Sequence, residues 1–272
     1  MFGSITLENR FGVNKMELIS LKYAIFVIVL LVLYYCFPKK YRWYVLLAGS
    51  MAYYVIICKW YVLFIIFTIC TTYGSTIWID KLLKKQNAIV KSHKEDWDRQ
   101  TRKEYKEKGR KKRVAVMLFA LLCNFGILAF LKYIPYAGEL GLLLPLGISF
   151  YTFQSMGYVM DVYREIVEPE KNFLKVALFV SFFPQIIQGP IAIYDKLAGQ
   201  LYEGHSLRLE NLQKGALLVL WGVMKKLVIA DRAVNIINFV MDKPMDFSGT
   251  YVFFAAVVYL SLIHISEPTR PY

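Results

Sequence analysis

The sequence predicts an all-α protein, a polytopic bundle of transmembrane helices in which some helices are broken or re-entrant. Apolar and aromatic residues make up 57% of the 272 residues and charged residues only 19%, whereas soluble domains are usually about 45–50% apolar and about 25% charged. The apolar residues are also gathered into long segments without strand-type alternation. This composition excludes a disordered chain, and four cysteines are too few for a disulfide-stapled secreted domain.

Each apolar segment predicts one helix of the bundle, because about 20 apolar residues cross a bilayer as a helix. Only Lys59 separates the second segment from the third, which predicts a tight hairpin. Pro145 interrupts the fifth segment, and Pro184 and Pro190 interrupt the sixth, since proline breaks a helix. The segments are 23–37, 43–58, 60–79, 114–131, 140–160, 176–194, 215–230 and one that begins at 251.

The positive charge of the chain lies mostly between two apolar segments. The net charge is +13, and residues 80–113 hold 14 of the 33 lysines and arginines. Because basic loops stay on the cytoplasmic side, this segment predicts a cytoplasmic loop rather than a nucleic-acid site. Lys39, Lys40 and Arg42 then also fall inside, and Lys59 falls outside. The sequence therefore predicts a multi-pass protein of the cell membrane, with lipid as a partner and no nucleic acid.

Three parts are predicted along the chain. Residues 1–22 form a mixed, polar N-terminal segment, and Met16 is a plausible start, so residues 1–15 are expected to be an over-called extension. Residues 23–259 form the membrane domain, with the basic loop 80–113 inside it. Residues 260–272 change character abruptly and form the third part.

Polar side chains within two apolar segments mark the part of the membrane domain where chemistry is expected. Ser149, Gln154 and their hydroxyl-bearing neighbours lie in the fifth segment, and such groups need partners inside a membrane, so they face protein or a water-filled cavity. Gln185 and Gln188 flank the two proline breaks, and irregular backbone at membrane depth is tolerated where it is buried or lines a cavity. The alternative role for these residues is hydrogen bonding between helices.

Charged residues lie just after the fifth apolar segment and within the seventh. Asp161 and Arg164 stand three residues apart, which places them to pair on one helix face. Lys225 and Lys226 interrupt the seventh segment, where they either extend to the membrane interface or attract an anionic substrate.

Motifs of soluble enzymes are absent from the sequence. It contains no GxGxxG, Walker A, GxSxG or HExxH motif. The four cysteines form no CxxC pair, so no metal site and no bound cofactor are expected. His93 and His205 lie in polar surroundings and are expected at the surface.

Four stretches of the sequence resemble the membrane-bound O-acyltransferase family, in its alginate O-acetylase-like branch. The two long motifs agree in order, spacing and composition, and the two shorter ones agree in place and character. The resemblance covers about residues 16–259. The stretches are YYCFPKKYRW (34–43), LPLGISFYTFQSMGYVMDVYR (144–164), LFVSFFPQIIQGPI (178–191) and LWGVMKKLVIADR (220–232).

The resemblance implies a helical membrane acetyltransferase with a funnel through the bundle. Its members pass an acyl group, typically acetyl, from a cytoplasmic donor such as acetyl-CoA to hydroxyls of an extracytoplasmic polysaccharide, an alginate-like or cell-wall polymer. The resemblance is also compatible with an auxiliary extracytoplasmic acetyltransferase as a partner. The family's catalytic histidine, the general base, lies on a later helix, so no catalytic residue is assigned here. The candidates for the funnel lining are Ser149, Tyr151, Gln154, Gln185 and Gln188.

The last residues resemble a sequencing adapter rather than a protein. Residues 260–270, LSLIHISEPTR, match one reading frame of a transposase-type adapter, so residues 260–272 are expected to be an artefactual tail. His264 is then not the catalytic histidine, and the chain is expected to be an inactive N-terminal fragment of the enzyme.

Two non-acyltransferase functions are the alternatives. A transporter or flippase for a polymer or lipid precursor also uses broken helices, but it usually needs acids within the membrane, and none lies mid-span here. A non-enzymatic scaffold would not explain the clustering of glutamine, proline and glycine around residues 183–190.

Overall fold

The computed structural model describes residues 21–93, 97–133, 145, 147–188, 191–242 and 244–266. These residues are helical or irregular and contain no strand, which confirms the predicted all-α class. They divide into two compact units, one ending at His205 and the other beginning at Ser206. The first unit contains α1 (Leu21–Cys36), α2 (Arg42–Cys58), α3 (Val62–Ser92), α4 (Arg99–Tyr133), α5 (Ile148–Tyr163), α6 (Phe173–Ser181), α7 (Phe183–Gln188) and α8 (Tyr194–Tyr202).

The first three helices follow the apolar segments closely. α1 and α2 begin and end within two residues of the predicted segments 23–37 and 43–58. α2 ends at Lys59, which adopts a left-handed conformation with φ 48° and donates its N–H to Val55 O. One turn later α3 begins at Val62. A short turn therefore separates α2 from α3 at the predicted position, and the antiparallel packing of a tight hairpin stays a prediction.

The basic segment 80–113, predicted to be a cytoplasmic loop, is helical over most of its length. α3 continues to Ser92 and α4 starts at Arg99, so the two helices extend as an antiparallel pair well beyond their apolar parts. The residues concerned are mainly Lys, Arg, Glu and Gln, which have high helix propensity. Gln86 joins the two extensions by donating Nε2–H to Lys106 O at 3.1 Å.

Two helical stretches of the described residues are long and apolar enough to cross a membrane, Lys39–Ser92 and Arg99–Tyr133. Their outward faces carry large apolar side chains; Phe119 and Leu122 on α4, for example, are about two-thirds exposed or more. A broad exposed apolar face is typical of contact with lipid or with another apolar surface. Together with the relatives reported below, this supports a membrane protein.

The core of the first unit surrounds its short helix α6. Val176, Leu178 and Phe179 are fully buried, and α6 packs on α2, α3, α5 and α8. Asn172 caps α6 by accepting a hydrogen bond from Leu174 N–H at 2.9 Å, which satisfies one of the free N–H groups at the helix start. A helix buried on all sides has an uninterrupted apolar sequence rather than an amphipathic one, and residues 176–180 have that pattern.

The second unit contains α9 (Leu209–Met224), a π-helical turn (Lys225–Ala230), α10 (Asp231–Met241) and α11 (Gly249–Ser266). The segment predicted to start at 215 thus begins earlier and passes into the π-helical turn without a break. In that turn, the Lys225 ammonium lies 5.7 Å from the centre of the Trp221 ring. A cation–π contact of this kind gives the charge a partner on the helix surface.

Candidate functional site

The polar residues of α5 meet the break between α6 and α7. α6 ends at Ser181, and Phe182 leaves the helical region with ψ 106°. The last carbonyls of a helix lack intrahelical donors, and here the Pro184 nitrogen carries no hydrogen to offer Val180 O. The first break predicted from the proline pattern is thereby confirmed, and the second, at residues 189 and 190, lies outside the described residues.

Two buried side chains supply the hydrogen bonds that the break removes. In a continuous helix, Phe179 O would accept from Phe183 N–H. Instead Gln154 donates Nε2–H to Phe179 O at 2.8 Å, and Phe183 N–H donates to Ser50 Oγ at 3.4 Å. Gln154 lies on α5 and Ser50 on α2, so three separate parts of the chain hold the break in place.

Unused hydrogen-bonding capacity surrounds these two bonds. Gln154 and Ser155 follow Tyr151 by three and four residues, which places each of them on the side of α5 that carries Tyr151. The Tyr151 hydroxyl, Ser155 Oγ, Ser181 Oγ and Gln185 Oε1 are buried without a hydrogen-bond partner among the described residues. We call this set the break cluster: Ser50, Tyr151, Gln154, Ser155, Ser181 and Gln185.

A buried polar atom without a partner costs about 1–3 kcal/mol, so most native proteins avoid it. Four such atoms in the break cluster are therefore unusual for a purely structural arrangement. Hydroxyl and amide groups can donate to and accept from a sugar hydroxyl or an ester carbonyl. None of them is a general base, so the cluster has the chemistry of a binding region and not of proton transfer.

Gly147 brings the start of α5 against α7. It has φ +71°, and a Cβ there would collide with the backbone and side chain of Ile186. Only glycine accommodates both the left-handed conformation and the close approach. This contact places the N-terminal turn of α5, with Ser149, next to the helix that carries Gln185.

The five predicted lining residues differ in their burial. Tyr151 and Gln154 are buried, and Gln154 uses its amide to hold the break. Ser149 and Gln185 are half-buried. Gln188 closes α7, and its side chain lies outside the described residues. Ser50 was missed by the sequence reasoning, although a serine in the middle of the apolar segment 43–58 is the same signal that identified Ser149.

Tyrosines fix the connection between α5 and α6. Tyr158 Oη accepts from Glu170 N–H at 2.8 Å, and Tyr73 Oη donates to Lys171 O at 3.0 Å. Burial raises the pKa of the Tyr202 hydroxyl, so it stays protonated and donates to Lys175 O at 2.9 Å. These bonds hold the entry to α6 in one position.

The predicted pairing of Asp161 with Arg164 is not formed. Arg164 is the exposed residue that ends α5, and the two side chains form no ion pair within 4.0 Å. The connection is instead tied to α4 by Arg113 Nη1–H, which donates to Glu165 Oε1 at 2.7 Å. Arg113 is the last residue of the basic segment and is buried.

Histidines contribute nothing to the break cluster. His93 and His205 are exposed, as expected, and His205 lies beside Gln200 O. The side chain of His264 lies outside the described residues. Within the part of the chain that the structure describes, no group of three or more His, Cys, Asp or Glu residues is placed to hold a metal ion.

The curated proteins that are similar in sequence to this chain are named as O-acetyltransferases or O-acetylases. It is 29% identical to the peptidoglycan O-acetyltransferase of Helicobacter pylori over 181 residues, 53% of this chain and 34% of that protein. It is 40% identical to the probable alginate O-acetylase AlgI of Pseudomonas syringae over 89 residues, 33% of this chain and 17% of that protein. The chain is similar in sequence to bacterial O-acetyltransferases.

The comparison confirms the resemblance predicted from the motifs. A further relative, the probable alginate O-acetylase AlgI of Pseudomonas putida, is 34% identical over 114 residues, 42% of this chain and 22% of that protein. The chain spans about a third or less of the length of these relatives. No family model matches the chain, and no solved structure matches it.

Proposed function

We propose that this chain forms part of a multi-pass acetyltransferase of the cell membrane. The enzyme transfers an acetyl group from a cytoplasmic donor, acetyl-CoA or another acyl carrier, to hydroxyls of an extracytoplasmic polysaccharide. The observation that supports this most strongly is the similarity to proteins named peptidoglycan O-acetyltransferase and alginate O-acetylase. Those names specify different polymers. The proposal therefore names a polysaccharide as the acceptor without choosing between the polymers.

The break cluster contributes the lining of the path through the bundle in this proposal. Its unpartnered groups, the Tyr151 hydroxyl, Ser181 Oγ and Gln185 Oε1 among them, match the hydrogen-bonding needs of an acyl ester or a sugar hydroxyl. Ser149 extends the same lining at the start of α5, and Gln188 stays a candidate from the sequence alone. Gln154 acts on the path indirectly, because its amide holds the carbonyl of Phe179.

No residue of this chain is assigned the proton transfer. The acceptor hydroxyl needs a general base to become a nucleophile, and the family resemblance places that histidine on a later helix. The exposed histidines of the first unit are not near the break cluster in sequence or on its helices. An auxiliary extracytoplasmic acetyltransferase is compatible with this division of roles.

Deletion of the source gene tests the proposal. Envelope polysaccharide from the parent and deletion strains is treated with mild alkali, and the released acetate is measured per mole of sugar. We expect the acetate to fall in the deletion strain and to return when the gene is restored. Unchanged acetate contradicts the proposal. Loss of the polymer itself from the cell surface, with normal acetylation of what remains, favours the transporter or flippase instead.

A further inference from the structure

A second feature of the first unit lies at the far end of the α3–α4 pair. A cavity of about 330 Å³ opens between the two helices, where they extend beyond their apolar parts. We call it the α3–α4 cleft. The side chains that matter to the argument are Gln86 on α3 and Lys103, Lys106, Glu107 and Arg110 on α4.

The cleft gathers cations on one face of α4. Lys103, Lys106 and Arg110 follow each other at intervals of three and four residues, which places them on the same side of the helix. None of the three forms an ion pair within 4.0 Å with a described carboxylate, whereas Lys84 nearby is paired with Asp80 at 2.6 Å. The lining holds these three cations and Arg113 against Glu107 and Glu165, which leaves two positive charges in excess.

The inner wall of the cleft is buried and hydrogen-bonded. Gln86 and Arg113 also line it and are both more than nine-tenths buried. Arg113 is held by Glu165 at 2.7 Å, and its Nε has no hydrogen-bond partner among the described residues. Gly109 allows the approach of the two helices, because a Cβ there would collide with the Gln86 amide. The cations therefore stand over a buried, polar floor.

A neighbouring cavity shows that this charge is local. It has about 360 Å³ and shares Leu83, Asn87 and Glu165 with the cleft. Its charged lining is Asp80, Glu165 and Glu168 against Lys84 and Lys171, which leaves no positive excess. An anion would therefore be held by the cleft and not by its neighbour.

The distance of the cleft from the membrane distinguishes a lipid phosphate from the phosphate of a soluble molecule. Arg113 precedes the apolar part of α4, and at 1.5 Å per residue Lys106 lies about 10 Å and Lys103 about 15 Å beyond it along the helix. The headgroup layer of a bilayer is only about 5–8 Å thick on each side. With α4 along the membrane normal and Arg113 at the edge of the hydrocarbon, a lipid phosphate would thus reach Arg110 but not Lys103. The excess of two positive charges also matches a phosphate monoester, which carries about −1.5 to −2 at pH 7, better than a phosphodiester headgroup.

We propose that the α3–α4 cleft binds a soluble phosphorylated anion, a molecule bearing a phosphate monoester or a pyrophosphate. Lys103, Lys106 and Arg110 supply charge-assisted hydrogen bonds to the phosphate oxygens, and Glu107 limits the affinity. This site is separate from the break cluster and does not depend on acetyl transfer.

The test uses the full chain in a maltoside detergent, which carries no phosphate, and isothermal titration with inorganic pyrophosphate in a phosphate-free buffer. We expect saturable binding to one site. The cleft variant K103Q/K106Q/R110Q should weaken it about tenfold or more, since a tenfold change needs only about 1.4 kcal/mol. The control variant K108Q/K111Q/K112Q removes the same charge from residues of α4 outside the cleft and should weaken binding by about threefold at most, because screening reduces distant charges.

The test also includes a variant of Glu107 and an experiment with added lipid. E107Q should tighten pyrophosphate binding, because it removes a repelling carboxylate. Thermal unfolding of each variant confirms that it is folded. Absence of saturable binding, or an equal loss in the cleft and control variants, overturns the proposal. It is also overturned if phosphatidylglycerol added to the micelles abolishes pyrophosphate binding and native mass spectrometry finds that lipid retained by the parent chain but not by the cleft variant.

Discussion

Gln154 is the residue on which the helix break depends most directly. Its Nε2–H replaces the backbone donor that Phe179 O loses where α6 ends. We expect Gln154→Leu to lower the free energy of unfolding by about 1–3 kcal/mol, because a buried carbonyl is left without a donor. The measurement is the thermal unfolding midpoint of the chain in detergent.

The matched control for Gln154 is the next residue of α5. Ser155 is fully buried, and its hydroxyl has no hydrogen-bond partner among the described residues. Ser155→Ala removes a polar group that is not bonded, so its midpoint should stay the same or rise. A larger loss for Ser155→Ala than for Gln154→Leu would contradict the assigned roles.

Gly147 provides a second prediction for single residues. Alanine there must adopt φ +71° and also displace Ile186, so we expect Gly147→Ala to destabilise the chain by about 2 kcal/mol or more. Gly157 lies on the same helix with open space around it, and Gly157→Ala should be neutral or stabilise by up to about 1 kcal/mol. Unfolding midpoints of the two variants make the comparison, and equal shifts would argue against a special role for Gly147.

At the scale of helices, apolar segments predicted some boundaries well and others not at all. The ends of α1 and α2 follow from the sequence because each segment is bounded by charged or aromatic residues. The extensions of α3 and α4 were not predicted, since their stability comes from helix propensity and from contacts such as Gln86 with Lys106 O, which an apolar pattern does not reveal.

The same limit applies to the break cluster. Pro184 predicted the break, and polar residues in apolar segments predicted that Gln154 needs a partner. The identity of that partner depends on three-dimensional packing: Ser50 precedes Phe183 by 133 residues, and no local pattern connects them. The five lining residues remain a prediction, because no ligand contact tests them.

Close packing of α3 on α4 is testable through two glycines of α4. Gly109 faces the Gln86 amide, whereas Gly126 has no neighbour within 4 Å. We expect Gly109→Leu to break the hydrogen bond between Gln86 and Lys106 O and to destabilise the chain by about 1–3 kcal/mol. Gly126→Leu should change stability little. Hydrogen exchange of residues 80–92 and 99–113 should rise only in Gly109→Leu, and the same rise in both variants would exclude a local effect.

At the scale of the whole molecule, the sequence predicts the side of the membrane on which each connection lies. The basic segment 80–113 is predicted inside and the turn at Lys59 outside. In a variant without native cysteines, we expect Trp60→Cys, at a position that is 84% exposed, to react in intact cells with a membrane-impermeant maleimide. Lys108→Cys should react only after the cells are opened. The reverse pattern would invert the topology and place the α3–α4 cleft on the outer side.

The central claim is that the protein encoded at this locus moves acetyl groups onto a polysaccharide. Its most direct test incubates membrane vesicles from the source strain with acetyl-CoA labelled with ¹³C in the acetyl group, followed by mass spectrometry of the envelope polysaccharide. We predict labelled acetyl esters that alkali removes and that are absent when the vesicles come from a strain lacking the gene. Equal labelling in both kinds of vesicle would contradict the claim.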